Sequence, residues 1–305
     1  MTDNILITIA IPTYNNEATI QQAITSCLNQ DTNEAYEILI VNNASKDNTE
    51  SIITQNIDDK IKVVTNDQTV SLWENHDVCV KNASGKYVIF CHSDDTLEKH
   101  AIETITKKIK ERNFPDKYIL WGHSMFRDFS HYIQRAGFSM NEMIVGRYAP
   151  LIFMYAGLTP SGTCYSRKSF LELGVFLKTT HRIAPADMTT MLYLALYGFR
   201  FEMLDEMIFI RTNASTLVKG TELEDNLNAI DDAFKQLLQT INSDQTENLL
   251  TVSRKLKNTP YFFYYAIAQD SRYKKRIRQI VTKKLLFHPW QLRYELIRKL
   301  LKRLY

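Results

Sequence analysis

The chain predicts an α/β protein built on a mainly parallel sheet with helices on both faces. Two observations carry that expectation. Strand and helix patterns alternate over the first 125 residues, which implies crossover connections between parallel strands. Polar clusters stand directly after the first, second and fourth strand patterns, at the carboxyl ends where open sheets bind ligands. Across all 305 residues, 45% are hydrophobic and 23% charged, as in soluble globular proteins. That balance excludes wholesale disorder, a collagen-like chain and a multi-span membrane protein.

Each element has its own signal. Ile5 to Ile11 is a short apolar run stopped by Pro12, a first strand. Glu17 to Gln30 places Ala18, Ile20, Ala23, Ile24, Cys27 and Leu28 at helical spacing. Tyr36 to Val41 reads as a second buried strand, Lys46 to Asn56 as a short helix and Ile61 to Thr65 as a third strand. Ser71 to Lys81 reads as helix, Tyr87 to Cys91 as the fourth strand, Leu97 to Arg112 as helix and Tyr118 to Gly122 as the fifth strand. Residues 126 to 220 are less regular and rich in aromatics, with a helix over Ala186 to Tyr197 and a strand near Phe201 to Ile210. Residues 221 to 305 are helical in pattern and form an extension beyond a domain spanning 1–220.

The polar clusters are Thr13-Tyr14-Asn15, Asn42-Asn43-Ala44-Ser45 and His92-Ser93-Asp94-Asp95, and they predict one shared crevice. The usual phosphate motifs are missing from it. No two of the nine glycines are separated by a single residue, which excludes G-x-G-x-x-G. Gly157 and Gly162 have the P-loop interval, but Thr163 stands where the lysine is required. If the crevice holds phosphates, a metal must replace the glycine-rich backbone. Asp94 and Asp95 suit that role, because Mg²⁺ or Mn²⁺ takes one or two carboxylates together with substrate phosphate oxygens. The same pair would also serve as a solvated turn that caps the following helix.

The order of these pieces resembles a known family. ITIAIPTYNNEATIQQAITSCLNQ, YEILIVNNASKDNT and NASGKYVIFCHSDDTL are similar to family-2 glycosyltransferases of the GT-A fold, inverting enzymes that use nucleotide-sugar donors. A strand ends in P-T-Y-N, a second ends in a D-D-x-S-x-D-like turn, and Ala83, Gly85 and Tyr87 lead into Ser93-Asp94-Asp95. The resemblance is strong over 1 to about 112 and weaker over 150 to 217. It implies that 1–125 hold the nucleotide sugar and 126–220 face the acceptor.

It also implies roles. Thr13 and Tyr14 would line the nucleobase pocket, with Tyr14 stacking on the base unless it is an ordinary buried aromatic. Asn43 stands where the family has a base-binding Asp; its carbonyl would accept a uracil N3–H, or it is a turn Asn bonded to its own backbone. His92 replaces the first acid of the family's D-x-D, leaving Asp94 first and Asp95 second as metal ligands. His92 and Ser93 would meet the donor or metal, or His92 is a hydrogen-bonded residue at the sheet end. Arg211 stands near where relatives carry R-x-H beside the diphosphate, as a phosphate partner or a surface ion pair.

Inverting transfer needs a general base for the acceptor hydroxyl. The family places it at the start of a helix in the second half, which here implies Asp187, a residue that would equally serve as a first-turn acid. Ser161-Gly162-Thr163 and Gly174-Val175-Phe176 read as structural turns. The implied activity is transfer of a hexosyl or N-acetylhexosaminyl group from a nucleoside diphosphate sugar, UDP-linked by expectation, to a lipid-linked or glycan hydroxyl in bacterial surface polysaccharide (O-antigen or capsule) synthesis. A catalytically degenerate nucleotide-sugar binder or scaffold of the same fold, supported by Asn42, Asn43, His92 and Asn213, is the rival. A nucleotidyltransferase is the other, although Pro12 to Asn16 lacks its glycine-rich basic loop.

The net charge of +3 conceals an asymmetry. Residues 272–305 carry twelve basic residues against the single acid Glu295, a surplus of eleven, which leaves 1–271 at −8. Leu292, Leu296, Ile297, Leu300, Leu301 and Leu304 share one helical face, with Trp290, Tyr294 and Tyr305 near its edges. That pattern describes an amphipathic helix lying on an anionic membrane surface; packing on the catalytic domain or in a homodimer would use the same stripe. No nucleic-acid module is present. Cys27, Cys79, Cys91 and Cys164 form no C-x-x-C, which suits a reducing compartment. The expected location is the cytoplasm, peripheral on the inner face of the cytoplasmic membrane.

Overall fold

The computed structural model describes residues 5–124, 161–174, 176, 190, 194, 197–211, 275 and 279. Its elements run β1 (Ile7–Thr13), α1 (Ile20–Leu28), β2 (Tyr36–Asn42), α2 (Thr49–Gln55), β3 (Ile61–Thr65), α3 (Leu72–Asn82) and β4 (Tyr87–Phe90). There follow β5 (Asp95–Leu97), α4 (Ala101–Glu111), β6 (Tyr118–Ser124), β7 (Thr163–Ser166), α5 (Arg167–Glu172) and β8 (Arg200–Arg211). All eight strands join one sheet in the order β3-β2-β1-β4-β7-β6-β8-β5. The β3-β2-β1-β4 half is wholly parallel, and β6 and β8 are parallel too. Antiparallel β7 stitches these blocks together, and β5 runs antiparallel to β8 at the far edge.

Alternation of side chains decides which face each residue serves. Ile7, Ile9 and Ile11 of β1 join a core with Ile20, Ile24 and Cys27 of α1, Ile53 of α2, and Ile102, Ile105 and Ile109 of α4. The opposite face is aromatic. Phe90 contacts His76, Tyr165 and Phe176, while Tyr165 stacks on Phe170 of α5 at 4.7 Å. Trp73 sits here, buried and 5.1 Å from Phe176. Helices thus cover both faces, which is why β1, β2 and β4 are buried along their whole length.

Four details differ from the sequence reading, each for a local reason. Pro12 lies inside β1, opposite Val41. It costs no ladder bond there, because its nitrogen faces the side where β4 has already ended at Phe90. Helix α1 begins only at Ile20, since the amides of Thr19 and Ile20 first close a turn on the Asn16 carbonyl. The helix placed from Leu97 begins instead at Ala101, because Asp95, Thr96 and Leu97 pair with Arg211, Ile210 and Phe209. Thr163–Ser166 and Arg167–Glu172, given no element from sequence, are β7 and α5.

The A-x-G-x-Y segment shows why its small residue is needed. The Gly85 amide donates to Thr8 Oγ1 at 2.9 Å, and a Cβ at Gly85 would meet the Thr8 backbone nitrogen at 2.6 Å. Glu37 accepts from the Thr8 hydroxyl at 2.6 Å and from the Ser84 amide, closing the turn onto the sheet. Tyr87 then buries its ring and donates its hydroxyl to the Pro115 carbonyl at 2.8 Å. The segment holds β4 in register beside β1, and that register decides where the residues after Phe90 emerge.

Candidate active site

The three polar clusters meet. The Asn16 carboxamide oxygen accepts from Ser93 Oγ at 2.8 Å and from the Tyr14 amide at 3.2 Å, tying the loop after β1 to the loop after β4. The Asn15 amide donates to Ser45 Oγ at 3.0 Å, and Asn15 Oδ1 accepts from the Lys46 amide at 2.7 Å, tying the same loop to the one after β2. Asn15 and Ala44 both take the left-handed conformation, with φ of 51° and 53°. Asn tolerates it easily; Ala does so at a cost of about 1–2 kcal/mol, a strain of the kind that collects at functional loops.

Asp47, the last acid of the D-D-x-S-x-D-like turn, accepts from the amides of Glu17 and Thr49, each at 3.1 Å. Burial opposes its charge, but the Thr49 and Glu17 hydrogen bonds prevail and hold its carboxyl below the usual range. Glu17 returns the contact by accepting from the Asn48 amide.

Thr13 is buried, and its hydroxyl lies 3.4 Å from Asn16 Oδ1. Tyr14 is 38% exposed, so its ring is not part of the core. Asn43 is buried and committed. Its Oδ1 accepts from the Val70 amide and Asn66 Nδ2, and its Nδ2 donates to the Val70 carbonyl, all at 2.9 Å. Asn66 also donates to Asn75 of α3 at 2.9 Å. This amide chain ties the loop between β3 and α3 to the end of β2 and to α3. Asn42 Oδ1 accepts from the Ser45 amide, and its buried Nδ2 has no acceptor among the described residues.

His92, Asp94 and Asp95 bring one ligand atom each within 4.8 Å of one another. A nitrogen and two carboxylate oxygens this close fit a Mg²⁺- or Mn²⁺-sized ion. The Asp95 amide donates to the His92 carbonyl at 2.9 Å, closing the turn. Asp95 is buried and Asp94 half-buried. Two residues to which the sequence reading assigns no site role adjoin this turn: Ser161, read there as part of a structural turn, and His76. Ser161 Oγ accepts from the His92 amide at 2.9 Å, 69 residues away in the chain. His76 of α3 lies with its Nε2 2.9 Å from His92 Nε2. Burial, and then the neighbouring His92, push His76 down to about 3, so it is neutral at physiological pH.

Arg211 ends β8 with its backbone opposite Asp95. Asp187 and Asn213 lie outside the described residues, as does the amphipathic tail apart from Lys275 and Gln279, both exposed. Among the described residues no helix is long and apolar enough to cross a membrane.

Residues 8–135 match the model of glycosyl transferase family 2. Over that stretch the chain is of the family-2 glycosyltransferase type. Over 116 residues it is 31% identical to the Escherichia coli UDP-Glc:alpha-D-GlcNAc-diphosphoundecaprenol beta-1,3-glucosyltransferase WfgD, a match covering 38% of this chain and 46% of that protein. The chain thus spans less than half the length of that curated relative. Residues 8–135 and their surroundings have the fold of Staphylococcus aureus TarS 1–349, solved in complex with UDP-GlcNAc. There the TM-score is 0.61 at 18% identity, covering 88% of this chain and 74% of that one. The mannosyltransferase PcManGT of Pyrobaculum calidifontis, solved with GDP-Man and Mn²⁺, gives a TM-score of 0.61 at 15% identity, covering 94% and 81%. Both likenesses bear on the fold, which is of the GT-A type.

Proposed function

We propose that the chain is an inverting glycosyltransferase moving a hexosyl or N-acetylhexosaminyl group from a UDP-linked donor to a hydroxyl of a lipid-linked glycan. One observation supports the reading: the loops after β1, β2 and β4 are hydrogen-bonded to one another, and the last of them carries the His92–Asp94–Asp95 cluster. The exposed ring of Tyr14 at the first loop is available to stack on a base. His92, Asp94 and Asp95 are the residues that would hold Mg²⁺ or Mn²⁺. Such an ion would neutralise charge on the departing diphosphate.

In the reaction the acceptor oxygen bonds to the anomeric carbon as the bond from that carbon to the diphosphate oxygen breaks. The electron pair leaves with the diphosphate, and the acceptor proton passes to the Asp187 carboxylate. Arg211 is assigned to the diphosphate, whose two oxygens match a guanidinium. WfgD, as named, uses a diphosphoundecaprenol-linked acceptor, which supports a lipid-linked acceptor here. The basic tail supports work on the inner face of the cytoplasmic membrane.

The test is a thermal-shift series of nucleotides and nucleotide sugars with and without Mn²⁺. A ligand at a hundred times its Kd should add about 2.7 kcal/mol to the folded state. UDP compounds should shift the midpoint; no shift from any nucleotide would refute the reading. Asp187→Asn should then reduce transfer by roughly a hundredfold or more while leaving that shift intact. Near-normal transfer by the folded variant would remove Asp187 from the mechanism.

A further inference from the structure

His76 stands outside every role assigned above, yet it touches the acidic loop. It lies on α3, fully buried, with ring centroids of Trp73, Phe90 and Phe176 at 5.2, 5.0 and 5.6 Å. Its Nδ1 is 2.8 Å from the Leu72 carbonyl oxygen one helical turn back. A carbonyl can only accept, so Nδ1 carries a hydrogen. Fully enclosed by those rings, the imidazole is held neutral because burial away from water disfavours the charged form, and its lone pair then belongs to Nε2. That atom lies 2.9 Å from His92 Nε2, and the two rings meet edge-on at 90°. Two lone pairs cannot face each other at this distance, so the hydrogen between them belongs to His92. The chain of bonds runs His92 Nε2–H to His76 Nε2, and His76 Nδ1–H to Leu72 oxygen.

We propose that His76 is a positioning residue that holds His92 as the Nε2–H tautomer, placing the His92 lone pair on Nδ1 as the donor atom that completes the Asp94–Asp95 cation site. Metal-binding histidines commonly have their second nitrogen tied in this way, which sets tautomer and ring orientation together. The usual tie is a carboxylate or a carbonyl. Here a neutral imidazole does the same work without adding a negative charge beside two aspartates. The position is rigid, because α3 starts in a capping box: Ser71 Oγ accepts from the Glu74 amide and Glu74 Oε2 from the Ser71 amide. Phe176, packed on His76, is in turn held by its amide donating to Asp77 Oδ1 at 3.1 Å.

The inference deepens the proposed function by assigning His92 and a supporting residue to its metal site. Its test is separable, because it needs neither donor nor acceptor. The full chain, labelled with ¹⁵N-histidine, is examined by long-range ¹H–¹⁵N correlation at neutral pH, with His92→Gln and His76→Gln assigning the two signals among seven histidines. The expected result is His92 carrying its hydrogen on Nε2 and none on Nδ1, and His76 the reverse. A His92 protonated at Nδ1, or at both nitrogens, would overturn the proposal.

Binding of Mn²⁺ alone is the second readout. His76→Leu should release His92 into a mixture of tautomers and weaken Mn²⁺ about tenfold or more, the usual loss when such a partner is removed. His76→Gln, whose amide oxygen can accept from His92, should retain both the Nε2–H tautomer and most of the affinity. If His76→Leu leaves tautomer and Mn²⁺ affinity unchanged, the assignment fails. Should that variant not fold, the wild-type spectrum and the Gln variant still decide. A UDP thermal shift in a protein whose His92 is the wrong tautomer would sink this inference and leave the proposed function standing; the reverse pair of results would do the opposite.

Discussion

Removing the charge of Glu202 should cost the fold about 2–3 kcal/mol at neutral pH. Glu202 on β8 is buried and accepts from Arg112 Nε at 2.9 Å, from Arg112 Nη2 at 2.6 Å and from the Tyr118 hydroxyl at 2.5 Å, with Lys108 Nζ 3.6 Å away. Arg112 follows α4 and Tyr118 opens β6, so one carboxylate joins three elements. In Glu202→Gln, whichever way the amide is turned, its NH₂ faces an N–H of Arg112. One arm of the bidentate pair is lost and the charge with it. Breaking a fully buried pair costs about 3–5 kcal/mol; the Arg112 side chain is 43% exposed, and solvent takes up part of the loss. With an unfolding entropy of about 2.1 cal/mol/K per residue, the melting midpoint should fall by about 4 °C. Burial opposes ionisation of Glu202, but the bonds from Arg112 and Tyr118 win and hold its carboxyl below the usual range. A depressed folded-state value means the stabilisation is complete above the unfolded carboxylate range and disappears as pH falls through the folded one. Urea unfolding at several pH values should therefore show a gap between wild type and variant that closes on acidification. A gap under about 0.5 kcal/mol at pH 7, or one that widens in acid, would refute the reasoning.

Three further outcomes follow. Gly85→Ala should lose about 3 kcal/mol or fail to fold, read from the urea midpoint, because its Cβ would meet Thr8 backbone rather than a yielding side chain. Ser71→Ala should cost about 1 kcal/mol by removing half of the α3 capping box, and near-neutrality would deny that the cap holds the helix. The full chain should co-sediment with anionic vesicles and not with zwitterionic ones, and 0.5 M salt should release it, since each basic residue near the surface is worth about 1 kcal/mol. Equal behaviour with both vesicles would remove the tail from the membrane.

The elements of the first half were legible because each is a local pattern. A run such as YEILIV or a helix with Ile102, Ile105 and Ile109 on one side announces its partner surface without reference to the rest of the chain. β5 and β7 were not legible because they are three and four residues long and owe their conformation to distant partners. Asp95–Leu97 is a strand only because β8 lies beside it, and the same residues would suit a helix start. The site divides likewise. The strand-end clusters were visible as polar residues after apolar runs. His76 was not, since a histidine in a helix gives no sign that it faces another sixteen residues on. Asn43 was visible as a position, but its bonds to Val70 depend on a loop whose path no local pattern sets.

Asn43 also discriminates between a decayed acid and a required amide. The Val70 amide donates to its Oδ1 and the Val70 carbonyl accepts from its Nδ2, each at 2.9 Å, and that pairing fixes the amide's orientation. A carboxylate in its place would keep the first bond and aim its second oxygen at the Val70 carbonyl oxygen. Asn43→Asp should therefore destabilise the protein by about 1–3 kcal/mol at neutral pH, the cost of a buried polar group left facing its like. Protonation converts that oxygen into a donor and restores the bond. The substituted carboxyl should thus titrate above the usual range, and its stabilising form should be complete below the unfolded value and lost as pH rises through the folded one. The deficit of the variant should shrink in acid, opposite to that of Glu202→Gln. A degenerate site would tolerate the acid usual in the family without penalty, because nothing around it would be built for the amide. Stability of Asn43→Asp equal to wild type at pH 7, with no pH dependence in the difference, would favour that reading; the predicted acid-reversible loss would show surroundings built for asparagine.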